Sequence, residues 1–188
     1  MHGPALSGWM LMAVCAATGA YCLLRARAGT GEERRIAHAE ALMGFGMAAM
    51  AVPAALLTPP AGAWAVYAVL FGGAALRSAW AARRGGHHLH HLVGSLAMVH
   101  MAVAMAPGAG AGHHAGHGAN AAGASLPLLT GLLLLYYALY VLGAAGRLIP
   151  VAPGGRPGTR VAVGARPELA LACRVTMGLA MLAMLAGL

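Results

Sequence analysis

The sequence predicts an all-α fold: a six-helix transmembrane bundle made of three helical hairpins, each running from outside to inside and back. Three observations carry this expectation. The 188 residues are 60% apolar and only 9% charged, with a mean hydropathy of +0.73, whereas a water-facing domain carries about 25% charged residues. Six apolar stretches each approach the ~20 residues a helix needs to cross a ~30 Å hydrocarbon core. All twelve basic residues are arginines, and they fall only at alternate ends of those stretches.

The whole chain, 1–188, reads as one transmembrane domain with spans near 4–24, 36–57, 63–82, 87–106, 126–145 and 167–188. Pro4, Pro127 and Pro167 stand at span starts, where a first-turn residue has no intrahelical N–H bond to lose. Pro59 and Pro60 mark the exit from the second span and Pro107 the end of the fourth. Pro53, inside the second span, is expected to bend it. Residues 107–125 are a Gly/Ala/His tract too simple to build a core, and are expected to form a flexible outer loop.

Arg25, Arg27, Arg34 and Arg35 occupy the first gap. Arg77, Arg83 and Arg84 form the second basic cluster, and Arg147, Arg156, Arg160 and Arg166 the third, with Arg174 just beyond. The N-terminal stub, gap 58–62 and gap 107–125 contain no arginine. Arginine-bearing ends stay cytoplasmic, so both termini are expected outside a cell (plasma) membrane. Trp9 and Trp64 then lie at the outer interface and Trp80 at the inner one. A cleaved signal peptide fits poorly, because the first apolar run lacks a basic leader and its arginines follow it. The net charge of +8 does not indicate nucleic acid, since no basic segment interleaved with aromatics is present. The lipid bilayer is the expected partner. Cys15, Cys22 and Cys173 lie in apolar runs at spacings unlike ligand motifs, and are taken as small buried hydrophobes rather than a redox pair.

Twelve methionines form a pattern. Met43, Met47 and Met50 in span two and Met177, Met181 and Met184 in span six share M-G-x-x-M-x-A-M, and span four carries Met98, Met101 and Met105. Each set projects along one helical face. An ionisable residue stands two turns before a shared methionine in each: Glu40 before Met47, His91 before Met98, Arg174 before Met181. Fourteen residues follow Arg174, about 21 Å of helix, so this guanidinium enters the membrane and needs a partner. Glu40 is the expected one, with Arg77 as the competing donor. Core packing is the more common reason for such methionine stripes, and the Glu40–Arg174 pair suits a structural ion pair better than a proton relay.

The ten histidines supply the other candidate chemistry. His87, His90 and His91 share a face with Met98, Met101 and Met105. Imidazoles at i, i+3 and i+4 can share a metal ion, and thioethers above them favour Cu(I). A solvated polar helix start explains the same residues. His113, His114 and His117 in the outer loop form H-H-x-x-H-G, able to take Cu(II), Ni or Zn with little geometric selectivity; base-composition bias is the competing account. His38, His91 and His100 are candidate axial ligands for a haem b.

The chain lacks a Gly-rich phosphate loop, G-x-S-x-G, H-E-x-x-H and C-x-x-C. With four Glu and no Asp, paired-carboxylate catalysis has almost no material, so no enzyme activity is expected. The start of span two, H-A-E-x-x-M-x-x-x-M from His38, and H-L-V-x-x-x-A-M-x-x-M from His91 resemble an uncharacterised family of actinobacterial multi-pass membrane proteins, a domain of unknown function. The resemblance implies a cell-membrane protein and brings no activity or ligand residues. Three functions stay open: handling of copper or another soft metal through the Met and His residues, haem-based electron transfer, and a non-catalytic scaffold or assembly role.

Overall fold

The computed structural model describes residues 3–52, 60, 62–83, 89–106, 121–147 and 167–187. Within them the backbone forms α1 (Gly3–Ala28), α2 (Gly31–Met50), α3 (Ala63–Ala82), α4 (Leu89–Ala104), α5 (Ala121–Gly146) and α6 (Pro167–Ala186). Four stretches, Leu6–Ala28, Ala63–Ala82, Pro127–Gly146 and Glu168–Ala186, are long and apolar enough to cross a membrane. The other two helices fall short of the six-span expectation for different reasons. α2 carries Glu32, Glu33, Arg34 and Arg35 in its first turns. α4 has 16 residues, about 24 Å of helix against a core of ~30 Å.

Several boundaries differ from those expected. The first basic gap is mostly helical: α1 continues through Arg25 and Arg27, and only Gly29 and Thr30 separate it from α2. The Gly29 amide donates to the Arg25 carbonyl at 2.9 Å, closing α1. Thr30 is extended at φ −125°, ψ 159°. Arginines in the last turn of α1 and glutamates in the first turn of α2 each complement the local helix dipole, which is why charge extends both helices here. α2 ends at Met50 instead of near 57, and Pro53 lies outside the described residues. α5 begins at Ala121, so Pro127 sits inside the helix and not at its first turn, and 121–125 are helical rather than loop.

Gly31 makes the tight turn possible. Its φ is +55°, a region that costs an L side chain about 1–2 kcal/mol. A Cβ there would meet nothing within 4 Å. Gly31→Ala should therefore lower stability by about 1 kcal/mol through backbone strain alone, measurable as a lower unfolding midpoint in detergent.

The chain divides into two compact units. The first comprises Met1–Ala51 with Leu135–Met184, and the second Val52–Leu134 with Leu185–Leu188. In the first unit, Cys15, Thr18, Gly19, Cys22 and Ala26 of α1 are buried, as are Ala37, Ala41, Met43, Gly44 and Met47 of α2. The helices meet backbone to backbone: a Cβ on Gly44 would stand 2.9 Å from the Gly19 Cα and 3.2 Å from the Cys15 carbonyl oxygen. Small residues allow this approach, which is how helices associate where lipid offers no hydrophobic drive. α6 meets side chains on the second half of α5, a Cβ on Gly178 falling 2.7 Å from a Val141 methyl. In the second unit, Phe71 and Ala75 of α3 and Ala97, Met98 and Met101 of α4 are buried.

Outward faces are apolar. Val66, Val69 and Leu76 of α3 and Leu132, Leu139 and Leu142 of α5 are each more than 60% exposed. Water penalises such a surface and lipid does not. The chain is an integral membrane protein. Trp80 is also exposed, with the Arg83 guanidinium carbon 5.9 Å from its ring centroid, a cation–π contact suited to a membrane interface.

Candidate functional site

The most heavily functionalised point in the first unit is Glu40. Its residue is 4% exposed, held inward by α2's small residues Ala37, Ala41 and Gly44 on the buried face. Both carboxylate oxygens accept charge-assisted hydrogen bonds. Arg174 Nε donates to Oε1 at 2.8 Å and Arg25 Nη1 donates to Oε2 at 2.7 Å. The Cys22 thiol donates to Oε2 at 3.8 Å. Three helices thus bring two guanidiniums and the Cys22 thiol to one carboxylate, an arrangement that fixes helix register. Two positive groups against one negative group leave a surplus positive charge.

The competing donor expected for Glu40 was Arg77, but Arg77 is exposed on α3 in the second unit. Arg25 takes that place because α1 stays helical past Leu24, which carries the guanidinium one turn beyond Cys22 on the buried face. The signal was present in the spacing of Cys15, Thr18, Cys22 and Arg25, which keeps one helical face. Treating Arg25 as gap concealed it. All three cysteines are free thiols, Cys15 and Cys22 buried and Cys173 half-buried.

The methionine stripes are buried unevenly. Counted from Glu40, His91 and Arg174, the seventh following residue is Met47, Met98 or Met181, with exposures of 0, 0 and 1%. The fourth following residue is Gly44, Ser95 or Gly178, again buried in every copy. Met43, Met101 and Met177 are buried as well. Met50 and Met184 are half-buried. Met105 is 49% exposed in the turn after α4, a correction to the expected three-residue face. Its amide still donates to the Met101 carbonyl at 3.1 Å, but α4 ends at Ala104 and leaves this last methionine beyond the buried turns. The α2 and α6 stripes belong to the first unit and the α4 stripe to the second.

Among the histidines, His90 and His91 are half-buried with ring centroids 5.9 Å apart at 61°. His100 is buried and its Nε2 lies 2.8 Å from Thr130 Oγ1. His38 is exposed on α2. His87 and the loop residues His113, His114 and His117 lie outside the described residues. Among the described residues, no group of three or more His, Cys, Asp or Glu side chains is arranged to hold a metal ion.

Residues 32–188 match the family model for a domain of unknown function, DUF5134. The match begins after α1, so Cys22 and Arg25 precede it while Glu40, Cys173 and Arg174 lie within it. No curated protein and no solved structure matches the chain.

Proposed function

The chain belongs to the DUF5134 family, and on that premise we propose that it is a multi-pass membrane protein, both termini outside, that handles a soft metal ion such as copper. One observation supports this reading best. The three repeat copies place a fully buried methionine at the same position: Met47, Met98 and Met181. Leucine is abundant in this chain and fills a helix core with a better-defined rotamer. A thioether kept in all three copies adds a ligand that suits Cu(I) and binds it weakly enough to release it. The outer histidines His113, His114 and His117 would capture the ion, and His87, His90 and His91 would receive it at the cytoplasmic end.

The test is the metal content of purified protein after copper loading, for the native chain, a chain lacking 107–125, and a chain with Met47, Met98 and Met181 changed to Leu. We expect the Leu chain to lose bound copper while keeping its helical content. Equal copper in all three would overturn the reading. A scaffold role is the second reading, favoured by the Gly19–Gly44 backbone contact and the saturated Glu40 carboxylate, both of which serve packing. Native function surviving the triple Leu replacement would select it.

A further inference from the structure

We propose that Arg25 and Arg174 bind the phosphate of an anionic phospholipid beside Glu40, at the membrane boundary of the first unit. Arg25 Nη1 and Arg174 Nε grip opposite oxygens of the Glu40 carboxylate at 2.7 and 2.8 Å. A guanidinium carries several N–H donors, and each of these spends one on Glu40. Among the described residues neither guanidinium has another hydrogen-bond partner. The shared carboxylate keeps the two groups within reach of one phosphate. Their side chains are 18% and 38% exposed, so the pair opens to the surface, more widely on the Arg174 side.

Position decides what fills that opening. α1 has 26 residues, about 39 Å of helix against a ~30 Å hydrocarbon core, and Arg25 stands three residues from its end. Arg174 is seven residues from the start of α6. A helical side chain tilts towards the N-terminus of its helix, so this guanidinium leans back towards the boundary. The exposed residues that flank it on α6 are Leu169 and Leu179, which border acyl chains and not water. Two guanidiniums on one carboxylate leave a positive charge there, costly without a counter-ion. The other acids do not supply one: Glu32 pairs with Arg35 at 3.7 Å, and among the described residues Glu33 and Glu168 are exposed and bonded to neither guanidinium. A phosphodiester carries one negative charge and oxygens that match the guanidinium fork, so one such group neutralises the cluster. A zwitterionic headgroup brings its own ammonium and leaves the surplus in place. Inorganic phosphate has the same oxygens but no acyl chains to lie against the leucines.

The full chain, purified in detergent and stripped of lipid, is titrated with phosphatidylglycerol, phosphatidylcholine or inorganic phosphate. Bound ligand is counted by native mass spectrometry, and helical content is followed in parallel. The native chain should retain a single phosphatidylglycerol, bind it at least about tenfold more tightly than phosphatidylcholine, and keep it in the presence of inorganic phosphate. Arg25→Met, which leaves Glu40 and Arg174 as a neutral pair, should bind the two lipids alike with its helices intact. Arg27→Met, at an exposed position in the last turn of α1, should keep the native preference. The preference is read first on the native protein, so the result stands even if a variant misfolds. A native chain that does not distinguish the two lipids would overturn the site, and so would an equal loss in Arg27→Met, which would assign binding to diffuse surface charge. Displacement of phosphatidylglycerol by inorganic phosphate would overturn the lipid as the source of the phosphate.

Discussion

Glu40→Leu is expected to destabilise the protein by about 3–5 kcal/mol, because it strands two guanidiniums that now share one buried carboxylate. Arg25 and Arg174 side chains are 18% and 38% exposed, and neither has water enough to recover full solvation. Arg25→Met should be far milder. It removes the surplus charge and leaves Glu40 and Arg174 as a neutral pair, joined at 2.8 Å. Loss of the acid should thus cost far more than loss of one of its two donors. Replacing Glu40, Arg25 and Arg174 together by apolar residues of similar volume should bring stability back near that of the native chain, since such replacements are often neutral or stabilising. Unfolding titrations of the four proteins in mixed micelles measure this ranking. A Glu40→Leu protein as stable as the native one would show that the cluster is not a structural centre.

Gly44→Ala is the second large effect, about 1–3 kcal/mol as for other overpacked sites. The added methyl would lie 2.9 Å from the Gly19 Cα and 3.0 Å from the Gly19 nitrogen. Backbone cannot rotate aside, so α1 and α2 must separate and loosen the contacts on either side. Gly178→Ala supplies the comparison. Its methyl would stand 2.7 Å from a Val141 side-chain atom, a nominally worse clash but against a group that a rotamer change can move. Gly44→Ala should cost more than Gly178→Ala in the same unfolding assay, despite the longer distance. The reverse order would mean that α1 and α2 are free to shift.

Much of the architecture was legible in the residues themselves, and the exceptions have physical causes. α3 spans Ala63–Ala82, the interval its apolar length dictates. α6 starts at Pro167 for the same reason and because proline suits a first turn. The Glu40–Arg174 contact followed from composition: a guanidinium within an apolar helix needs an acid, and the chain has only four. Arg25 was hidden because charge was equated with a gap, whereas Arg and Glu propagate a helix readily when its dipole is complemented. Met105 illustrates the opposite failure, periodicity carried one residue past the helix end. The burial of Gly44, Ser95 and Gly178 at one repeat position could have been suspected from the alignment of the three stripes, but small residues in an Ala/Gly-rich chain carry little signal individually.

The two-residue connection between α1 and α2 also sets a chronology for biosynthesis. Arg25 and Glu40 are 15 positions apart, so they leave the ribosome almost together and can enter the bilayer as a self-neutralised pair. Arg174 follows 134 positions after Glu40. By then α1 and α2 have both been made, so α6 is the last of the three helices around Glu40 to arrive.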